Sequence, residues 1–291
     1  MVLLQVKRGD ENQFLYDTSV YVNVHDLALE LANIYNGRLK VSRICSEIEQ
    51  LAEHGTMLPP DMLGLTDEQV EELHLTDEWG EKCIPSGGWT NNPDPVGRRN
   101  GRQPQEKMQD ILQNAVSDAK VLISRKLVDQ GQPMTQKNVE EAVDLLRGAV
   151  MIVYPMQLPP HDPIRMEFTN TEDLTGTQAS LEVIEPSKVQ LWFAGKQMLP
   201  DRKLGEIIGN NEKTKIIIKL TTTSEGAPGR EPVMSEETRK QLMMQAYRRQ
   251  EELKKLEQDD DDQYLNSSWS DSRSLKRHVH GLDDVKFKFT K

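Results

Sequence analysis

The residues Gln190-Leu-Trp-Phe-Ala-Gly-Lys-Gln-Met-Leu-Pro-Asp-Arg-Lys-Leu204 determine the architecture that we predict for this 291-residue chain. Leu191 to Phe193 is a short apolar and aromatic run that ends at Ala194-Gly195. This pattern predicts a strand, a tight turn and a second short strand. A β-branched strand follows at Thr214-Lys-Ile-Ile-Ile-Lys-Leu220. The stretch therefore predicts part of a sheet that ends near residue 220.

These segments resemble the second half of ubiquitin. The resemblance covers Leu-Trp-Phe-Ala-Gly-Lys-Gln-Met at 191–198, Arg-Lys-Leu at 202–204 and the strand at 214–220. It implies a β-grasp, a sheet wrapped over one helix. It does not extend to conjugation, because Thr221-Thr-Thr-Ser224 follows the last strand where a conjugated protein has a free Gly-Gly end.

A second resemblance runs nearly end to end. The opening Met1-Val-Leu-Leu-Gln-Val-Lys-Arg-Gly-Asp10, the central Arg147-Gly-Ala-Val-Met-Ile-Val-Tyr-Pro155, Pro163-Ile-Arg-Met-Glu-Phe168 and Arg248-Arg-Gln-Glu-Glu-Leu253 resemble the Kurly family of cilia- and flagella-associated proteins. The resemblance implies a role in motile cilia through cytoplasmic assembly of outer axonemal dynein arms, with an associated role in planar cell polarity and cilium positioning. The implied partners are dynein arm assembly factors or their chaperones. The implied location is the cytoplasm, with the basal body and the cilium as further sites.

Composition favours a chain that is partly folded and partly extended. Hydrophobic residues make up 36% and charged residues 29%, and the mean hydropathy is −0.65. The net charge of −11 argues against binding to nucleic acid or to an anionic membrane surface. Lys7 and Arg8 interrupt the opening apolar run, so we expect no signal peptide and a cytosolic protein. With only Cys45 and Cys83, the chain has no disulfide framework.

We predict an α+β fold with five parts along the chain. An N-terminal ββα domain covers 1–84, with a hairpin and then two helices separated at Asn36-Gly37. Whether this domain forms a second complete β-grasp is left open by the sequence. A linker at 85–103 and an αα-hairpin at 104–149 follow. The ubiquitin-like β-grasp domain covers 150–222, with its central strand at 150–154 and a partner strand at 164–168. A charged tail at 223–291 carries one amphipathic helix, 235–258, and a disordered end. The predicted β-grasp core includes Ile152, Met166, Phe168, Phe193, Leu204 and Ile217.

The chain has no motif that indicates catalysis. It lacks a phosphate-binding Walker loop, a nucleophile elbow, a metalloprotease helix and a dinucleotide fingerprint. Cys45 could pair with His25 or His54 as nucleophile and base, but a small apolar residue on a helix face explains it better. His278 and His280 have no nearby third ligand for a metal. We therefore expect no enzymatic activity, no cofactor, no metal and no small-molecule substrate.

Two surfaces are candidates for binding another protein. The ubiquitin resemblance places Trp192, with Lys196 close by in the chain, at the centre of a patch that ubiquitin-like folds use for recognition. The alternative is that helices within 104–147 cover Trp192. The second surface is the tail helix, with Leu242, Tyr247, Arg248, Arg249 and Leu253, and its alternative is packing against the body of the protein. A different function, a ubiquitin-pathway module that recruits a ligase or proteasomal receptor, would use the Trp192 patch.

Overall fold

The computed structural model describes residues 1–65, 67–229 and 236–259, without the side chains of residues 67, 68, 236 and 256–259. The chain divides into two compact units, Met1–Arg230 and Glu231–Lys291.

The described strands all lie in the first unit. They are β1 (Val2–Arg8), β2 (Glu11–Thr18), β3 (Trp89–Asn91), β4 (Arg102–Pro104), β5 (Val189–Phe193), β6 (Lys196–Gln197) and β7 (Lys215–Thr222). The helices of this unit are α1 (Val24–His54), α2 (Asp67–Glu72), α3 (Glu78–Lys82), α4 (Glu106–Leu122), α5 (Gln136–Val153), α6 (Pro163–Thr169), α7 (Gln178–Glu182) and α8 (Leu204–Ile208). The second unit contains α9 (Glu236–Asp259).

One five-stranded sheet joins the two ends of the first unit. Its strand order is β2-β1-β7-β5-β6. The central pair β1–β7 is parallel, with Leu4 opposite Ile216, and the other three pairs are antiparallel. Thus the predicted hairpins at the two ends of this unit belong to the same sheet, and β3 and β4 form a separate two-stranded sheet.

The main core lies between this sheet and α1. Alternate side chains of the central strands are buried because successive residues of a strand point to opposite faces. These side chains are Val2, Leu4, Val6, Ile216, Ile218 and Leu220. Leu27, Leu31 and Ile34 of α1 are buried in the same cluster. Burial of each such side chain stabilises the fold by about 1.5–3 kcal/mol.

Residues 55–188 form a mainly helical region between α1 and β5. The helices α4 and α5, in the part of the chain predicted as a helical pair, pack against each other and against α1. The side-chain amide of Asn36 fixes the return of this region to the sheet. It donates to Ile184 O at 2.7 Å and accepts from Ile184 N at 2.9 Å.

The prediction of two helices within 24–54 is wrong, because α1 is continuous through Asn36-Gly37. Both residues are explained by tertiary contacts. Asn36 bonds the backbone of Ile184, and Gly37 allows α5 to approach, since a Cβ at Gly37 would lie 2.6 Å from Val139 Cγ1. A glycine that permits close helix packing is therefore compatible with a helix interior.

The two strands predicted at 150–154 and 164–168 are also wrong. Val150–Val153 form the last turn of α5. A continuous apolar run fits a buried helix as well as a buried strand. The second segment lies in α6, where the Asp162 side chain accepts from Ile164 N and Pro163 occupies the first turn. The sheet expected within 150–222 is instead completed by β1 and β2.

Residues 85–103, predicted as a linker, have a defined structure. They contain β3 and the first two residues of β4, its antiparallel partner. Arg99, only 4% exposed, donates to Gly55 O at 2.8 Å and to the Glu47 carboxylate at 2.6 Å. The segment thus closes over the end of α1 through a buried arginine.

The residues predicted to form the β-grasp core differ in burial. Leu204 is fully buried, and Phe193, Met166 and Phe168 are half-buried. Ile152 and Ile217 are exposed, at 58% and 39%, so their assignment to the core is wrong. The tail helix predicted at 235–258 is confirmed as α9. The end predicted to be disordered, from residue 260 onward, lies outside the described residues.

Candidate protein-binding surfaces

Trp192 lies on the face of the sheet opposite α1. It is paired with Lys219 on β7 and with Gln197 on β6, whereas its neighbour Leu191 is buried toward α1. Trp192 itself is half-buried. The helices α4 and α5, the alternative cover predicted for Trp192, pack against α1 on the other face.

The Trp192 face is partly closed by its own chain. The Lys219 ammonium, with its side chain 11% exposed, donates to Gly229 O at 2.9 Å and lies 3.7 Å from the Asp10 carboxylate. Thr221, on the same face, is 4% exposed. Trp192 Nε1 and Thr221 Oγ1 are buried without a hydrogen-bond partner among the described residues. The aromatic ring is therefore not the open anchor that the resemblance implied.

Lys196 does not share this face. The register pairs Lys196 with Phe193 and Gln197 with Trp192. Because side chains alternate between faces, Lys196 and Trp192 point in opposite directions. The β5–β6 turn consists of Ala194 (φ 48°) and Gly195 (φ 77°), as a two-residue hairpin with positive φ at both positions requires.

The second surface is a stripe along α9, defined by Leu242, Ala246, Arg249 and Leu253. At 3.6 residues per turn, Leu253 lies only about 20° around the helix from Leu242. Leu242 is 49% and Leu253 55% exposed, and Met243 and Tyr247 beside the stripe are 65% and 70% exposed. Such contiguous exposed apolar side chains are typical of an interaction surface.

The two arginines predicted to bind a partner, Arg248 and Arg249, lie on different sides of α9. Arg249 lines a shallow concavity of about 350 Å³ together with Met243, Tyr247 and Leu253. Arg248 lies about 120° from Leu242 by helical geometry, outside the stripe. Neither arginine forms an ion pair with another residue in the described part of the chain, so the stripe carries one uncompensated cation, Arg249.

Cys45 is a core residue of α1, fully buried, and burial raises the pKa of its thiol to about 11. Burial also raises the pKa of the Cys83 thiol. Since a nucleophilic cysteine needs an accessible thiolate, the structure favours the apolar interpretation of Cys45. No group of three or more His, Cys, Asp or Glu in the described residues could hold a metal ion. The pair His278 and His280 lies outside those residues.

A third surface, which no sequence pattern had predicted, lies between α5 and α6. It is a groove lined by Arg147, Val150, Tyr154, Arg165 and Phe168, among others. The signal was present as the four-residue spacing of Val150 and Tyr154, but the run was interpreted as a strand. None of the described helices is both long and apolar enough to span a membrane.

The chain is similar to known cilia- and flagella-associated proteins. The family profile described as cilia- and flagella-associated protein 298 matches residues 189–285. The chain is 63% identical over 291 residues to cilia- and flagella-associated protein 298 of Drosophila melanogaster, covering all of both proteins. It is 59% identical to the Mus musculus protein and 58% identical to the Homo sapiens protein of that name, each over 288 residues and 99% of both chains. No solved structure matches the chain.

The chain therefore belongs to the cilia- and flagella-associated protein 298 family. This membership relates it to cilia and flagella.

Proposed function

We propose that the protein is a non-enzymatic adaptor needed for motile cilium function, which supports assembly of outer axonemal dynein arms in the cytoplasm. The observation that carries the proposal is the exposed α9 stripe in a member of this family. An exposed apolar stripe on a helix suits docking to another protein. The proposal includes the basal body and the cilium as further locations, and a role in planar cell polarity and cilium positioning.

The proposed scaffold is a ubiquitin-like β-grasp with residues 55–188 inserted after its helix. Two antiparallel hairpins, β1–β2 and β5–β6, lie on either side of the central strand β7. The buried face of the sheet packs on α1. This arrangement and the ubiquitin-like sequence of 191–220 support the assignment. The insertion then separates the helix from the third strand of the fold.

The stripe on α9 favours a partner other than a second copy of the chain. A parallel symmetric pairing would place two Arg249 side chains opposite each other, and an antiparallel pairing centred on the stripe would leave them only about 4.5 Å apart along the helix axis. Like charges this close oppose association. A partner helix with an apolar face and a carboxylate opposite Arg249 would satisfy both features of the stripe. The proposed partners are dynein arm assembly factors or their chaperones.

The alternative function, a ubiquitin-pathway module, would depend on the Trp192 face. Lys219, Thr221 and the indole nitrogen of Trp192 are largely covered within the first unit. This face therefore offers less open apolar surface than the α9 stripe, and we favour the adaptor.

A pull-down from ciliated cells with matched variants tests the proposal. Leu253→Glu places a charge in the stripe, whereas Met244→Glu changes an exposed apolar residue about 180° around the helix from Leu253. We expect dynein chains or their assembly factors to be recovered with the wild type and Met244→Glu, and lost with Leu253→Glu. Recovery of ligase subunits instead, lost only with Trp192→Ala, would support the ubiquitin-pathway alternative.

A further inference from the structure

The groove between α5 and α6 has an apolar floor within the first unit. Its volume is about 400 Å³, within the range of about 300–1,000 Å³ typical of ligand sites. Val150, Tyr154 and Leu158 follow one another at four-residue spacing, each at most 5% exposed, and Phe168 contributes from α6. An occupant therefore needs an apolar group to fill this floor.

The charged residues of the groove have one sign. Among the described residues, Arg147 and Arg165 line it and no acidic side chain does, although the whole chain has a net charge of −11. Such a local excess of positive charge in an acidic protein makes the groove complementary to an anion.

Both guanidinium groups are held in place by backbone carbonyl groups. Arg165 Nη1 donates to Leu158 O at 2.7 Å, and no carboxylate of a described residue lies within ion-pair distance of Arg165. Arg147 Nη2 donates to Phe168 O at 3.2 Å, and its guanidinium lies 5.5 Å from the centre of the Phe168 ring. Its ion pair with Asp144 is 3.4 Å long between exposed side chains, and such pairs are weak. Since a guanidinium has five N–H donors, each arginine retains donors for a ligand.

The groove is also lined by an exposed apolar side chain. Met151 is 58% exposed. Methionine is flexible and adapts to apolar partners of different shape. Gln157, which also lines the groove, has a φ of 67°, an uncommon conformation for a residue other than glycine. An exposed apolar side chain in an open groove suits a protein segment better than a free small ion.

We propose that this groove binds a short acidic and apolar peptide segment of a partner protein. An apolar side chain of the segment would pack on Val150, Tyr154 and Phe168, while a neighbouring carboxylate would accept hydrogen bonds from Arg147 and Arg165. This site is separate from the α9 stripe, so it does not depend on the proposed function.

The test is a selection from a random library of 12-residue peptides displayed on phage, with the full chain as bait. Peptides that also bind the double variant Arg147→Gln/Arg165→Gln are removed. We expect the retained peptides to combine Asp or Glu with Leu, Ile, Phe or Trp. Failure to retain any peptide, or retention of basic peptides, would overturn the proposal.

A retained peptide is then synthesised with a fluorescent label and its Kd measured by anisotropy. We expect Arg165→Gln to raise the Kd at least tenfold, and the Kd to rise with salt. The control Arg202→Gln, which removes an exposed arginine without an ion pair among the described residues, should leave the Kd unchanged. Met151→Asp should also raise the Kd tenfold, and its high exposure protects against a folding defect. An unchanged Kd in both groove variants would refute the site. Displacement of the peptide by an equal concentration of dodecanoate would also refute it, because the groove would then be assigned to a fatty acid.

Discussion

Substitution of Gly37 by alanine tests the contact between α1 and α5. An ideal Cβ at Gly37 lies 2.6 Å from Val139 Cγ1, whereas carbon atoms in contact prefer about 3.5–4.0 Å. Val139 is buried, and a β-branched side chain in a helix has one strongly preferred rotamer, so it cannot turn away. Gly37→Ala therefore forces the two helices apart or strains Val139.

Two opposing effects set the magnitude. Overpacking of a core costs about 1–3 kcal/mol, and an overlap of about 1 Å with a fixed side chain places this site at the upper end. Alanine regains about 1 kcal/mol of helix propensity relative to glycine. We expect the free energy of unfolding to fall by about 2 kcal/mol, which lowers the Tm by about 4–8 °C for a unit of this size.

The double variant provides the decisive measurement. In a Val139→Ala background the Cγ1 atom is absent and the remaining contact, to Val139 Cβ, is an ordinary 3.6 Å. There Gly37→Ala should raise the free energy of unfolding by about 1 kcal/mol. Urea unfolding of the four proteins in the cycle measures both changes. If Gly37→Ala has the same effect in both backgrounds, Gly37 does not face Val139 and the reasoning fails.

Three further predictions concern a turn, the thiols and α9. Ala194→Asn should raise the Tm by relieving about 1 kcal/mol of strain at a residue with φ 48°, and an unchanged Tm would argue against a strained turn. At pH 8 neither thiol of the folded protein should react with Ellman's reagent, because both are buried and the raised pKa of Cys45, about 11, keeps its thiol protonated. In denaturant, two thiols per chain should react. Arg249→Leu should produce dimers in sedimentation velocity, whereas Arg248→Leu, which changes a residue outside the stripe, should not; a monomeric Arg249→Leu variant would contradict the charge argument.

Local sequence patterns predicted the elements that depend on nearby residues. The turn at Ala194-Gly195 is set by adjacent strands, and the strand at 214–220 by its β-branched residues, so both appear where they were expected. The helical pair α4 and α5 follows from apolar periodicity within each helix. The hairpin β1–β2 likewise involves residues close in the chain.

The errors arose where distant residues decide the structure. Asn36-Gly37 has the composition of a helix stop, but its contacts with Ile184 and Val139 stabilise a continuous helix. The parallel pairing of β1 with β7 joins segments from opposite ends of the first unit, and no local pattern specifies it. The α6 segment differs, because Asp162-Pro163 is a local helix-start pattern that favours a helix over a strand.

The topology also determines which substitutions can separate folding from binding. β7 lies between β1 and β5, so it holds the two ends of the sheet together, and Trp192 is paired directly with it through Lys219. A large-to-small change at Trp192 would therefore disturb the sheet and the candidate surface together. The stripe residues of α9 are exposed, and replacing them removes no buried contact. A loss of binding caused by Leu253→Glu can thus be attributed to the surface, whereas a loss caused by Trp192→Ala requires an unchanged Tm before it indicates recognition.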